Sequence, residues 1–459
     1  MPFLPARCMA RDDDFFARVS ARGRGAPPGP EAAVLRRNLA LLQTDGIAAS
    51  IMVGSGETYL VAFALALGLG DIFAGYMATG PILAGAVLQL VSPWGVRRLG
   101  SHRRWVVLCA AAQAGCYLPL VVAGCVGALS GTALFAIATC YWATGMMTGA
   151  AWNAWVGTLV PKSLRSRFFA RRTRAGQVAM LGGLLAGGAI LHSGEESDLH
   201  LLAFAALFAL AGIARAWSAW LLSQQSEPNP LVQPEPDPSS VARPLLAGNK
   251  RLLGYLLTLQ VGVQVAAPYF TPYWLSPASL HLSYVGYTTL IATAFVSKIA
   301  ALPWLGHLAA RRGARRLLRW AGLSVVPAPA LWTLSSHYGV FLGIQLYSGI
   351  AWGAHELATF LLFFDTIRPE DRTRVLTGYN LVNACAMILG TSLGALVLRH
   401  AGTGPDGYLL LFWLSAGARA LTLPLLAWIP EADARRGLAD RAEGPIQRLP
   451  EASDSPLAS

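Results

Sequence analysis

The chain has 459 residues, of which 54% are hydrophobic and only 13% charged; its mean hydropathy is +0.47. Soluble domains carry about 25% charged residues, so this composition excludes the soluble class and marks an integral membrane protein. The formal charge of +12 sits in short Lys and Arg clusters between apolar runs. Membrane orientation produces that distribution, and a nucleic-acid binder with one basic face does not.

Residues 1–30 are charged, rich in Pro, Gly and Arg, and lack the apolar core of a signal peptide. The stretch EAAVLRRNLALLQTDG, 31–46, reads as a short amphipathic helix leading to the membrane. A spanning helix needs about 20 apolar residues. Such runs fall near 47–68, 72–95, 105–126, 130–159, 173–193 and 199–223. A stretch rich in Pro, Ser and acids follows and reads as a flexible linker. Six further runs lie near 250–275, 282–309, 317–336, 338–365, 373–399 and 406–429. The expected organisation is a cytoplasmic tail (1–46), a six-helix bundle (47–223), a cytoplasmic linker (224–249), a second bundle (250–429) and a cytoplasmic tail (430–459). The fold class is therefore all-α integral membrane, with twelve transmembrane helices in two pseudo-symmetric six-helix bundles.

Alternate loops carry the positive charge. Arg97, Arg98, Arg103 and Arg104 follow the second run, and Lys162 to Arg174 holds six basic residues after the fourth. Arg311, Arg312, Arg315, Arg316 and Arg319 follow the eighth run, and Arg368, Arg372 and Arg374 the tenth. The opposite loops hold Arg399 and the acids Glu195, Glu196, Asp198 and Asp406. The linker and both termini are thus expected on the cytoplasmic side. Trp94, Trp105, Trp304, Trp320 and Trp428 fall at the same ends and read as an interfacial aromatic belt. PKSLRSRFFARR, 161–172, reads as an amphipathic turn on the anionic inner leaflet. The six cysteines form no CxxC pair, so neither a zinc site nor a disulfide framework is indicated.

The two halves share a pattern. Arg165, Arg167, Gly183 and Gly187 become Arg372, Arg374, Gly390 and Gly394 when 207 is added to each number. Four matches at one offset point to an internal duplication. The glycine pairs are small-xxx-small spacings that let helices five and eleven approach their neighbours closely.

Twelve apolar runs, a six-plus-six repeat, a central linker and basic turns after the second and eighth runs resemble the major facilitator superfamily over about residues 40–430. That family's turn motif is G-x-x-x-D-R/K-x-G-R/K-R/K. Gly306, Arg311, Gly313, Arg315 and Arg316 match it in the second half, with Ala310 where the family has Asp. Gly100, Arg103 and Arg104 match in the first half, where Pro93 and Arg97 replace the first Gly and the Asp. The resemblance implies a cytoplasmic gate at these turns. The missing Asp would leave Asp365, or Glu370 and Asp371, to pair with Arg372 or Arg374.

A charged group at bilayer depth costs about 2.5–3.5 kcal/mol on insertion scales, so such residues are site candidates. Counted from the cytoplasmic ends, Glu57, Asn153, Gln260, Gln264, Lys298, His355 and Glu356 fall in one layer. The resemblance implies that helices one, four, seven and ten line a central cavity, and each supplies a member. Glu57 is the only carboxylate of its run and is cheaper protonated than charged there, so it is a proton carrier candidate. Lys298 and Glu356 have depths that permit an ion pair. His355 is a titratable neighbour. Trp152, Trp155 and Asn153 offer aromatic walls and an amide to an organic ligand, with Asn153 at roughly the place Glu356 holds in the second half. Arg215 is expected to reach toward the cytoplasmic headgroups.

The sequence holds no nucleophile elbow, metalloprotease motif or phosphate-binding loop, so no enzyme and no cofactor or metal is expected. The resemblance implies a secondary active transporter of a small organic solute working by alternating access in the plasma (bacterial inner) membrane. Protons and membrane lipids are the further expected partners, and nucleic acid is not one. A receptor or assembly factor that kept the fold is the alternative.

Overall fold

The computed structural model describes residues 30–161, 164–197, 199–227, 250–366 and 372–427. They form helices throughout. In the first half, α1 runs Pro30–Ser55, passes a 3-10 turn at Glu57–Tyr59 and ends with Leu60–Ala66. It is followed by α2 (Asp71–Leu99), α3 (His102–Val126), α4 (Gly131–Leu159), α5 (Arg165–Glu196) and α6 (His200–Ser223). In the second half, α7 runs Lys250–Gln264, turns at Ala267–Tyr269 and ends with Phe270–Leu275. Then come α8 (Tyr284–Arg312), α9 (Ala314–Val325, with a turn at Ala330–Thr333), α10 (Tyr338–Thr366), α11 (Arg372–Ala401) and α12 (Pro405–Ala427). Nine of the described helices are long and apolar enough to cross a membrane.

Local sequence explains the ends. Ser101, Ser130 and Ser283 cap α3, α4 and α8, each hydroxyl accepting from a backbone N–H of the first turn. The basic turns after α2 and α8 each rest on a glycine in the positive-φ region, Gly100 at 62° and Gly313 at 85°, where a side chain would be strained.

The duplication extends to whole elements. α4 and α10 have 29 residues each and start 207 positions apart (338 − 131), as do α5 and α11 (372 − 165). In α1 and α7 the offset becomes 210, because the 3-10 turns begin at Glu57 and Ala267 (267 − 57).

Three apolar cores organise the packing. The ends of α6 and α7 nearest residues 223 and 250 define a linker end, and the opposite side is the far end. At the far end one core joins both halves, with Tyr59, Phe63, Phe204 and Phe208 from the first and Tyr269, Tyr287, Trp332 and Tyr408 from the second. At the linker end each half has its own core. One holds Leu42, Trp105, Trp155 and Leu222, the other Leu252, Tyr255, Leu317 and Leu362. Two hydrogen bonds between the halves lie on the far side: Tyr287 donates to the Thr58 carbonyl at 3.4 Å, and Tyr408 to Asp71 at 2.7 Å. The halves are therefore closed together at the far end and separately packed at the linker end.

Three expectations need correction. The boundary at residue 46 falls inside α1, which is helical from Pro30 and buries Leu42 and Asp45. The segment 31–46 is thus the linker-end part of the first helix, and not a lead-in. Gln225 and Glu227, expected in the linker, are tied to the first half. The Glu227 carboxylate accepts from the His102 and Arg103 backbone at 2.8 and 3.3 Å and from the Ser101 hydroxyl, capping α3, while Arg103 donates to the Gln225 carbonyl at 2.9 Å. Trp105 is buried in the core, its indole donating to Ser92 at 2.9 Å. Trp94, Trp304 and Trp320 are exposed, and Trp428 lies outside the described residues.

Candidate functional site

The break in α1 follows from Gly54-Ser55-Gly56. A Cβ on Gly54 would overlap the Met180 backbone oxygen of α5, and one on Gly56 the Tyr117 hydroxyl of α3. Only glycines let α1 sit this deep between its neighbours. The turn that follows presents Glu57, whose carboxylate accepts from the Tyr141 hydroxyl of α4 at 2.7 Å. The same hydroxyl lies 2.9 Å from the Met52 sulfur. Glu57 is thus held by a residue outside the expected set. Its partner is a tyrosine from an apolar run, which carries no charge signal in sequence.

In the second half, Lys298 Nζ stands 2.5 Å from Glu356 Oε2, with 27% and 54% of the side chains exposed. His355, one residue earlier on α10, is buried, with Nε2 3.5 Å from the Tyr255 hydroxyl and its ring edge-on to Trp352. Gln260 is partly buried. Gln264 is buried where α7 crosses Gly390 of α11. Asn153 is exposed on α4. At the offset of 207 the counterpart of Glu356 is Gly149, so Asn153 lies one turn nearer the linker end than expected.

Trp152 and Trp155 pack the first half. The Arg172 guanidinium lies over the Trp152 ring at 4.6 Å, with Phe169 edge-on to it. Trp155 is 2% exposed and donates to the Ser226 carbonyl at 3.1 Å.

A buried charge cluster joins residues that the sequence pattern keeps apart. Asp45 on α1 accepts from Arg172 of α5 at 3.2 Å and from the Ser218 hydroxyl of α6 at 2.6 Å. Ser218 in turn accepts from Arg215 at 2.9 Å. Arg215 is 5% exposed, so it does not reach toward headgroups; its partners keep it inside. A signal was present: Asp45 shares a helical stripe with Leu42, Ala48 and Met52, all buried. Its second-half analogue is incomplete. Arg419 of α12 is 3% exposed and donates to the Val325 carbonyl at 3.0 Å.

The expected gate residues are spread along the two turns. Arg104 supplies the N–H that Ser101 caps. A Cβ on Gly306 would meet nothing within 4 Å, and Arg311 is exposed. Gly313 makes the turn, and Arg315 follows it at the start of α9, half-buried. The side chains of Asp365, Arg372 and Arg374 lie outside the described residues, as do Glu370 and Asp371 entirely.

Between the halves, α2 and α4 face α11 across a cavity of about 250 Å³. Among the described residues no group of His, Cys, Asp and Glu could hold a metal ion.

The two repeated bundles and their shared far core make a fold like that of solved major facilitator-type transporters. The D-xylose-proton symporter superposes with a TM-score of 0.66 at 13% identity, over 87% of this chain and 98% of that one. The nucleoside transporter NupG gives 0.62 at 13% identity, over 86% and 99%. A bacterial homologue of the iron transporter ferroportin, 17% identical, gives 0.60 in its inward-facing state, over 87% and 99%. Its outward-facing state gives 0.54, over 84% and 99%. No family model matches the chain, and no curated protein matches it in sequence. At these identities the likeness is one of fold.

Proposed function

We propose that this chain is a secondary transporter that moves a small organic solute across the plasma membrane by alternating access. Its twelve helices would all span the bilayer, with the linker and both termini cytoplasmic, as the Lys and Arg bias supports. The observation that carries the reading is the separation of the cores. The halves share an apolar core at the far end and keep separate ones at the linker end. Rocking about the middle layer would reverse which end is closed. The neighbouring solved structures are transporters, and the closer fit to the inward-facing state of the ferroportin homologue agrees in direction.

Coupling to protons would run through Glu57. A carboxylate hydrogen-bonded to Tyr141 inside the first half is neutral when it takes a proton from one side and charged again when it releases it to the other. Glu356 is the second candidate, held by Lys298 until a proton or solute competes for it.

Proteoliposomes with an imposed pH gradient test this. Wild type should accumulate a solute from a broad metabolite panel only with the gradient. Glu57→Gln should lose accumulation while keeping exchange of internal for external solute. Equal accumulation by Glu57→Gln would remove Glu57 from coupling, and no flux of any solute in wild type would remove the transport reading.

A further inference from the structure

One hydroxyl in the first half has two acceptors and a single proton. Tyr141 of α4 is 2% exposed, and its oxygen lies 2.7 Å from Glu57 Oε2 and 2.9 Å from the Met52 sulfur. Met52 is buried, and Glu57 is partly exposed. Both acceptors belong to α1. Residues five apart on a regular helix point about 140° away from each other, so the 3-10 turn that begins at Glu57 is what lets both meet one hydroxyl. The tyrosine is held from α3, where Tyr117 packs edge-on to its ring at 5.6 Å and Gln113 donates to its main-chain carbonyl at 3.3 Å.

The titratable groups that face the carboxylate are Tyr141 and Tyr117. Arg215 of α6 lies beyond them, within charge reach of both hydroxyls. α5 presents the Met180 backbone to this part of α1, and Tyr287 of α8 donates to the Thr58 carbonyl. Among the described residues Glu57 has no ion pair, so Tyr141 is the group that answers its charge.

We infer that Tyr141 and Met52 form a reversible seat for the proton of Glu57. A charged carboxylate only accepts, so the Tyr141 proton points to it in a charge-assisted bond. A protonated carboxyl donates. Tyr141 then accepts through its oxygen and turns its own proton to the Met52 sulfur, a weak acceptor already within hydrogen-bonding distance. The incoming proton comes from water and stays on Glu57; Tyr141 keeps its own and only reorients it. Neither state leaves the buried Tyr141 proton unanswered. Met52 is thus a positioning residue that acts on Glu57 through Tyr141. The inference deepens the proton-coupling reading and rests on it for its purpose, but the seat itself is measurable without transport.

The test is an infrared titration of the purified full chain, following the protonated-carboxyl band that Glu57→Gln removes. Met52→Leu keeps the volume and should move the midpoint of that band to lower pH by about half a unit, because the neutral form loses its acceptor. Tyr141→Phe should move it to higher pH by about one unit or more, because the charged form loses the stronger bond. The double variant should titrate like Tyr141→Phe alone, since Met52 then has no hydroxyl to act through. Met52→Leu carries the test by itself should Tyr141→Phe not fold. An unchanged midpoint in Met52→Leu, or a Met52→Leu shift that persists without the Tyr141 hydroxyl, would overturn the seat. The absence of any band belonging to Glu57 would overturn the seat and the coupling reading together. The predicted shifts without gradient-driven accumulation in proteoliposomes would keep the seat and remove Glu57 from transport.

Discussion

Tyr59 and Tyr269 do the same work in the two halves. Each ends a 3-10 turn that interrupts its helix, and each donates its hydroxyl to a main-chain carbonyl across a helix crossing. Tyr59 reaches Leu184 of α5 at 2.5 Å, and Tyr269 reaches Thr391 of α11 at 2.8 Å. The acceptors are 207 positions apart (391 − 184). The rings lie against Gly187 and Gly394, the second glycines of the small-xxx-small pairs. Removing either hydroxyl, by Tyr59→Phe or Tyr269→Phe, should cost about 0.5–1.5 kcal/mol. The two losses should add, since the sites share no partner. Thermal unfolding of the single and double variants in detergent checks this.

Glycine substitutions along α5 and α11 should split sharply. A Cβ at Gly394 would overlap the Val265 carbonyl oxygen, a main-chain atom that cannot swing away. Gly394→Ala should destabilise by about 1–3 kcal/mol, as overpacking does. Gly182 meets nothing within 4 Å, and Gly182→Ala should be neutral or gain up to about 1 kcal/mol of helix propensity. Similar losses at both positions would contradict the close crossing.

Asp45 balances Arg172 and Arg215 inside the first half. Asp45→Asn leaves the buried Arg215 and the partly buried Arg172 without their carboxylate and should cost about 3 kcal/mol, the lower end for a broken buried pair. Adding Arg215→Met should return part of that loss. A single variant that unfolds like wild type would show that the cluster is hydrated.

Much of the fold was legible because the bilayer imposes simple rules. Apolar run length placed the helices, and the duplication survived at Arg165, Arg167, Gly183 and Gly187, where α5 begins and packs. Counting depth along helices also put Lys298 level with Glu356, and the two are in contact. Asp45 escaped because Arg36, Arg37 and Gln43 make the segment around it look like a surface helix. Arg215 was misplaced as a consequence, its partner having been assigned outside the bundle. Tyr141 could not be found at all: a tyrosine in an apolar run has the same appearance whether or not it meets a carboxylate.

The Lys298–Glu356 pair should matter more to kinetics than to stability. Both side chains are partly exposed, and such pairs contribute about 1 kcal/mol or less. Glu356→Gln should therefore shift the melting temperature little while changing the rate of solute exchange. A large loss of stability with unchanged exchange would make the pair purely structural.

The far-end closure should loosen when its cross-half hydrogen bonds are removed. Tyr408→Phe breaks the bond to Asp71. In a background without the native cysteines, a membrane-impermeant thiol reagent should label T288C, buried in the closed state, about two- to tenfold faster in that variant. Unchanged labelling would mean that the shared apolar core alone keeps the far end shut.

Spin-label distances at the two ends test alternating access most directly. W94C with W304C reports the linker end, and V126C with L334C the far end; all four side chains are exposed, so labels should not disturb packing. Across acidic and alkaline pH and in the presence of the solute panel, two populations should appear, long at the linker end with short at the far end, and the reverse. Their proportions should shift together. A single, unmoving distribution at both ends under every condition would contradict a rocking transporter and leave a rigid membrane scaffold.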